Sequence, residues 1–360
     1  MKEATSSIES RLGMQLFFDK LYTTRKKRPP LKTIILLSEL EIEDLEEIVR
    51  QRERLARVYN VNLRKIEDGL YGLQLKKLVR KDITKGYAIL DTSHEGVWIA
   101  FCNEESYFVN RALLRLFNAL YPSVSRLYLN YYQISALLTE IKNAYHGKTT
   151  LTFITVKREP KKIESAFSEK GTLQLWEENA EEELLKLTKD YRIAVDRADF
   201  KVRDSETNRI LLRAHISRRG LCKLAFGNFT AFYENVVLRA IELGINWKRF
   251  YAHRERIISD GKIKLSPFSI SYNFDFDKEQ LQRLTEKISK SYSSSVIHGG
   301  NPYFVANLGD YGDGSSFGVT VLGKIVTITP IIRATPQSAW RLTNRIQEIL
   351  GDGEIQSIPV

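Results

Sequence analysis

One arrangement of amphipathic segments recurs three times along this chain: a charged helix, short alternating strands joined by turns, and a second amphipathic helix. The last copy is the clearest. In FSISYNFDF (268–276), Phe268, Ile270, Tyr272, Phe274 and Phe276 fall on one side of an extended chain, because side chains alternate along a strand. Asp277 and Gln280 then have the spacing of a capping box, and Leu281, Leu284 and Ile288 form the stripe of the helix it opens. NPYFVANLGDY, SSFGVTVLG and KIVTITPIIRA follow as strands. A last helix is expected from Thr335, with Pro336 in its first turn, to Gly351.

The other two copies share the pattern rather than the residues. In the middle copy, WEENAEEELLKLTKDY is the expected first helix. YRIAVD, DFKVRD, RILLRAHIS and LCKLAF are the expected strands, and NFTAFYENVVLRAIELG is the closing helix, expected to stop at Gly244. In the first copy, GYAILDTS and GVWIAFCN precede a helix in which Val109, Ala112, Leu113, Leu116, Phe117 and Leu120 keep the spacing of one buried face. Helices attached to antiparallel meanders imply an α+β fold of tandem modules, each a curved antiparallel sheet with helices packed on one face. At the level of topology alone this resembles the TATA-binding-protein-like fold, in which two such halves join into one saddle.

A chain of 360 residues suits two or three domains. Polar, charged stretches at 156–171 and 258–267 divide it into 1–155, 156–260 and 261–360, with 156–360 as an alternative pseudo-symmetric unit. No apolar run is long enough to span a bilayer, and the acidic start does not read as a secretory signal, so a cytoplasmic location is expected, away from membrane. Cys102 and Cys222 lie inside apolar runs and are expected as buried free thiols of a reducing compartment.

The net charge of +11 matters because it is clustered. Lys201, Arg203, Arg209, Arg213, Arg218, Arg219 and Lys223 face only Asp204 and Glu206 across 201–223. The 246–264 segment interleaves Lys248, Arg249, Arg254 and Arg256 with Trp247, Phe250 and Tyr251, and TRKKR and KREPKK add further positive charge. Acids concentrate elsewhere, at 39–47 and 177–183. Basic side chains neutralise phosphates and aromatic faces stack on unpaired bases, so this distribution fits a nucleic-acid contact surface dominated by the backbone. The same charges would suit an acidic protein partner in a multi-component assembly. The expected contact residues are Arg213, Arg218, Arg219, Lys223, Trp247, Lys248, Arg249, Tyr251, Arg254 and Arg256.

Catalytic signatures are sparse. GxSxG, GxxxxGK[ST], CxxC and HExxH are all missing, so no cofactor is expected and the chain leans towards a binding subunit. Asp91, His94 and Glu95 gather at an expected hairpin turn, where Asp, Ser and Gly serve local geometry. GDYGDGSSFGV (309–319) carries Asp310 and Asp313, the candidate ligands if the protein were a metal-dependent enzyme. Asp313-Gly314 has the composition of a hairpin turn between two strands, which is the expectation adopted for it.

Overall fold

The computed structural model describes residues 8–24, 28–79, 82–145, 148–157, 172–176, 194–204, 206–252, 257–259, 262–264, 266–299 and 303–357. The expected helix over 176–191 and most of the TRKKR and KREPKK clusters lie outside them, as do Arg254, Arg256 and the side chain of Lys248.

After an N-terminal helix, α1 (Arg11–Tyr22), the first module runs β1 (Leu31–Ser38), α2 (Leu45–Gln51), β2 (Tyr59–Glu67), β3 (Leu70–Val79), β4 (Asp82–His94) and β5 (Val97–Cys102). A π-helical turn, Val109–Leu113, then leads into α3 (Leu114–Ala119). The chain then enters a second module through the short β6 (Val124–Arg126) and α4 (Tyr131–Ala144). Asn130 and Gln133 close a capping box on α4, whose apolar face packs on the second module's strands and closing helix. There follow β7 (Lys148–Lys157), β8 (Thr172–Trp176), β9 (Ala194–Arg203), β10 (Ile210–Ser217) and β11 (Leu221–Gly227), then a π-helical turn at Tyr233–Val237 and α5 (Leu238–Ala252). The two expected strands YRIAVD and DFKVRD merge in β9.

The first two modules are close structural repeats. The left-handed hairpin glycines Gly96 and Gly220, and the π-turn starts Val109 and Tyr233, are separated by the same 124 residues (96 to 220, 109 to 233). Gly244 does not end α5. It lets the helix approach the sheet layer, since a Cβ there would stand 2.8 Å from Leu127 Cδ1.

A small hairpin, β12 (Ile257–Ser259) and β13 (Lys262–Lys264), leads to the third module: β14 (Phe268–Ser271), α6 (Lys278–Ile288), β15 (Tyr292–Gly299), β16 (Tyr303–Asp310), β17 (Ser316–Leu322), β18 (Ile325–Ile332), α7 (Pro336–Leu350) and β19 (Glu354–Ser357). The Asp277–Gln280 capping box, Pro336 at the start of α7 and Gly351 at its end all form. The strand expected over 268–276 stops at Ser271. Beyond it, Tyr272, Phe274 and Phe276 gather into one aromatic cluster, with ring centroids 4.8–5.4 Å apart.

Two antiparallel sheets result. Strands β2-β3-β4-β5-β1-β11-β10-β9-β7-β8 form one continuous sheet with β6 also on β1, and β15-β16-β17-β18-β14-β19 form the other. Sheet pairing therefore joins the first and second modules through β1 and β11 rather than the second and third. Each module keeps its helices on one face of its own strands, but those of the first two modules lie on opposite sides of the shared sheet. Ile34, Leu36, Trp98 and Ala100 face the helices of the first module, while Ile35, Leu37, Ile99 and Phe101 face α1 and the helices of the second. Central β1 and β5 are consequently buried throughout, as continuous apolar strands must be. Phe18 of α1 packs 5.1 Å from Phe229, which lies 5.5 Å from Phe101. Burial of each such ring stabilises the fold by about 1.5–3 kcal/mol.

Candidate nucleic-acid interface

At the second module the described helices pack on one face of the shared sheet. Along β10, Leu212, Ala214 and Ile216 face the helices, so Arg213, His215 and Ser217 face the other way. Along β9, Ala198, Phe200 and Val202 point inwards and Arg197, Asp199, Lys201 and Arg203 outwards. Pairing sets Lys201 opposite Arg213 and Asp199 opposite His215. His215 in turn pairs with Lys223 of β11, and Lys223 with Lys32 of β1. The outward face of β9–β11 thus carries Arg197, Lys201, Arg203, Arg213 and Lys223, with Asp199 as its acid among the described residues.

Asp199 sits at the centre of this band, accepting hydrogen bonds from Arg197 Nε at 2.8 Å and His215 Nδ1 at 3.1 Å. Burial pushes its carboxyl up, but the bonds and charges of His215 and Arg197 outweigh that and hold it below the ordinary value. His215 is lowered, first by burial and then by Lys223 and Arg197, with Asp199 opposing. Lys223 is lowered too, by burial and by Arg197. Among the described residues the cations of this face outnumber its one carboxylate. An anion arriving at the face would relieve that excess.

The remaining expected contact residues divide sharply. Arg218 is buried in the β10–β11 turn and ion-paired with Asp352, with its guanidinium 5.2 Å from the Tyr128 ring. It has no surface to offer a phosphate. Its neighbour Arg219 is exposed and reaches Glu348 Oε1 at 3.1 Å. Tyr251 is 0% exposed and cannot stack on a base. It packs 5.3 Å from Phe268 and 5.8 Å from Trp340, and Trp247 is partly buried 6.3 Å from Trp340. These aromatics form the junction between α5, α7 and β14, because α5 runs on past Gly244 and turns them inwards. Arg249 stays exposed on α5.

Asp310 and Asp313 do flank a hairpin turn. Gly314 adopts φ 75°, and Asp310 N–H donates to Ser315 O at 2.7 Å. Their carboxylates are both hydrogen-bonded within the protein. Asp310 Oδ2 accepts from Arg341 Nε and Nη2 at 3.1 and 2.8 Å. Asp313 accepts from Thr335 Oγ1 at 2.7 Å, Ser315 N at 2.9 Å and Ser338 Oγ, fastening the turn to the first turn of α7. Among the described residues no three His, Cys, Asp or Glu side chains are grouped to hold a metal ion. Asp91 is similarly occupied, accepting from Ser93 N at 3.0 Å, Ser93 Oγ at 2.7 Å, Tyr233 OH at 3.3 Å and Arg11. His94 Nε2 lies 3.2 Å from the same Tyr233 hydroxyl. This cluster ties α1 and the second π-turn to the β4–β5 hairpin.

Cys102 and Cys222 are buried free thiols, each pushed up to about 12 by burial. Among the described residues no helix is long and apolar enough to cross a membrane. The sequence reading missed Arg197, although the alternation Arg197, Asp199, Lys201, Arg203 against Ala198, Phe200 and Val202 carries the signal once β9 is read as one strand. No protein-family model matches the chain, and no curated protein matches it.

Proposed function

We propose that the protein is a non-enzymatic binding subunit that holds nucleic acid by its backbone on the outward face of β9–β11. One observation carries this reading: Arg197, Lys201, Arg203, Arg213 and Lys223 share one face of three adjoining strands, with Asp199 as its acid among the described residues. Side chains on rigid strands lose less freedom on binding than side chains on loops, and their charge acts on any phosphate chain laid across them. The aromatic residues that would read unpaired bases are committed to the interior, so contact through phosphates accounts for the whole interaction. A duplex and a single strand of mixed sequence, each fluorescently labelled and titrated at several salt concentrations, test it. The double variant Lys201→Glu/Arg213→Glu should abolish binding while leaving the unfolding transition in place. Retained binding by that variant would move the interface elsewhere, and selective binding of an acidic peptide over both nucleic acids would favour a protein partner.

A further inference from the structure

At the junction of the two sheets the chain forms an open cavity of about 390 Å³, lined among others by Tyr121, Arg126, Tyr128, Arg219, Trp340 and Arg345. Three separate parts of the fold build it. The connection from α3 through β6 supplies Tyr121, Arg126 and Tyr128, the β10–β11 turn supplies Arg219, and α7 supplies Trp340, Arg341, Arg345 and Glu348. It lies apart from the outward face of β9–β11, and the argument for it does not depend on the function proposed for that face.

The charges around it do not balance. Arg341 is neutralised by Asp310 and Asp313. Arg219 and Arg345 share one carboxylate, that of Glu348, at 3.1 and 3.3 Å. The Arg126 side chain makes no ion pair or hydrogen bond among the described residues, and burial together with the nearby Arg219 pulls it down to about 10. Beneath the lining, five buried polar atoms of these side chains have no partner among the described residues: Ser125 Oγ, Arg126 Nε, Tyr128 OH, Trp340 Nε1 and Arg345 Nε.

The lining specifies the ligand's chemistry. Arginines with spare donors are suited to phosphate oxygens, which they bind in pairs. A lone phosphate ion would leave most of the cavity empty, while the rings of Tyr121, Tyr292 and Trp340 supply apolar walls for a flat group. We propose that this cavity binds a nucleotide, with its phosphates on Arg126 and Arg219 and its base among the aromatic walls.

Calorimetry and thermal unfolding of the full chain test this with ATP, GTP, CTP and UTP separately, alongside pyrophosphate and the matching nucleosides. At least one triphosphate should bind and raise the melting temperature. Its pyrophosphate and nucleoside fragments should each bind about tenfold more weakly or worse, since either lacks half of the contacts. Arg126→Gln should lower triphosphate affinity about tenfold or more, while its own ligand-free melting temperature equals or exceeds that of the unaltered chain, because an uncompensated cation has been removed. Arg219→Gln, at an exposed position, should weaken binding by a similar factor. No binding of any triphosphate at millimolar concentration, undiminished binding by both variants, pyrophosphate binding as tightly as the triphosphate, or a lowered ligand-free melting temperature in Arg126→Gln would each overturn the proposal.

Discussion

Arg218 and Asp352 form an ion pair across the two sheets, with their side chains only 8% and 4% exposed. Arg218 stands in the β10–β11 turn of the shared sheet, and Asp352 follows α7 of the third module. The same carboxylate oxygen accepts the Tyr131 N–H at 2.9 Å, so it also fixes the start of α4. A pair of this kind is costly to break and cheap to replace, because desolvation has already consumed most of its Coulomb attraction. Arg218→Met alone should therefore destabilise the protein by about 3–5 kcal/mol, since it leaves a bare buried carboxylate. Arg218→Met/Asp352→Asn, which keeps an acceptor for Tyr131, should recover most of that loss. Urea unfolding of the three proteins decides it, and a double variant no better than the single one would mean the pair is a net source of stability.

Asp313 should govern part of the acid stability. Burial pushes its carboxyl up, but hydrogen bonds from Ser338, Thr335 and the Ser315 N–H, with the charge of Arg341, bring it from an ordinary 3.8 down to about 2. A carboxyl lowered by folding contributes stability that is complete above its unfolded value and disappears as pH falls through the folded one. The contribution is about 2 kcal/mol at neutral pH, lost between about pH 4 and pH 2. Asp313→Asn should be less stable by about that amount at pH 7, and the gap should close by pH 2. Denaturant unfolding at a series of pH values measures the gap directly.

Two glycines with left-handed backbone should differ in tolerance. Gly220 has φ 61°, and a Cβ there would stand 2.8 Å from Leu127 O and 3.1 Å from Ile35 O, atoms of backbone that cannot swing aside. Gly351 has φ 99° and nothing within 4 Å of the Cβ position. Gly351→Ala should cost roughly 1 kcal/mol for the backbone alone, and Gly220→Ala at least about 2 kcal/mol more. Equal melting temperatures for the two variants would refute the close packing of the β10–β11 turn on the β6 connection.

Salt should report the number of phosphates engaged. With all five basic side chains of the β9–β11 face in contact with duplex DNA, the logarithm of the binding constant should fall against the logarithm of salt concentration with a slope of about −4.5. Lys201→Gln should reduce the slope by about one. A slope near zero in the unaltered protein would leave no place for phosphate contacts.

Much of the local architecture was legible in advance. Asp277 with Gln280 and Thr335 with Pro336 set helix starts by their own hydrogen bonding, and Asp313-Gly314 turns the chain because glycine alone adopts its backbone there without strain. The helix expected at the head of the second module lies, past Trp176, outside the described residues. TYR-rich YYQISALLTEIKNA (131–144) becomes α4 through a capping box that its sequence does contain, in Asn130 and Gln133. Gly244 reads as a stop because glycine follows many helices, but here the absent side chain serves the close approach to Leu127.

The alternation of faces, the turns and caps, the buried thiols and the excess of positive charge in particular segments depend on neighbours within a few residues, and periodicity reports them. Which basic residues meet solvent depends on contacts between elements far apart in the chain. Arg218 and Arg219 are adjacent in one turn, yet the first is locked beneath the third module and the second stands exposed at a cavity. Trp247 and Tyr251 belong to a basic segment and still form the interior of a junction. Arg126 is an ordinary strand residue until Arg219 and α7 close around it. A local pattern fixes which way a side chain points from its own element, whereas what lies in that direction is set by chain folded back from distant parts of the sequence.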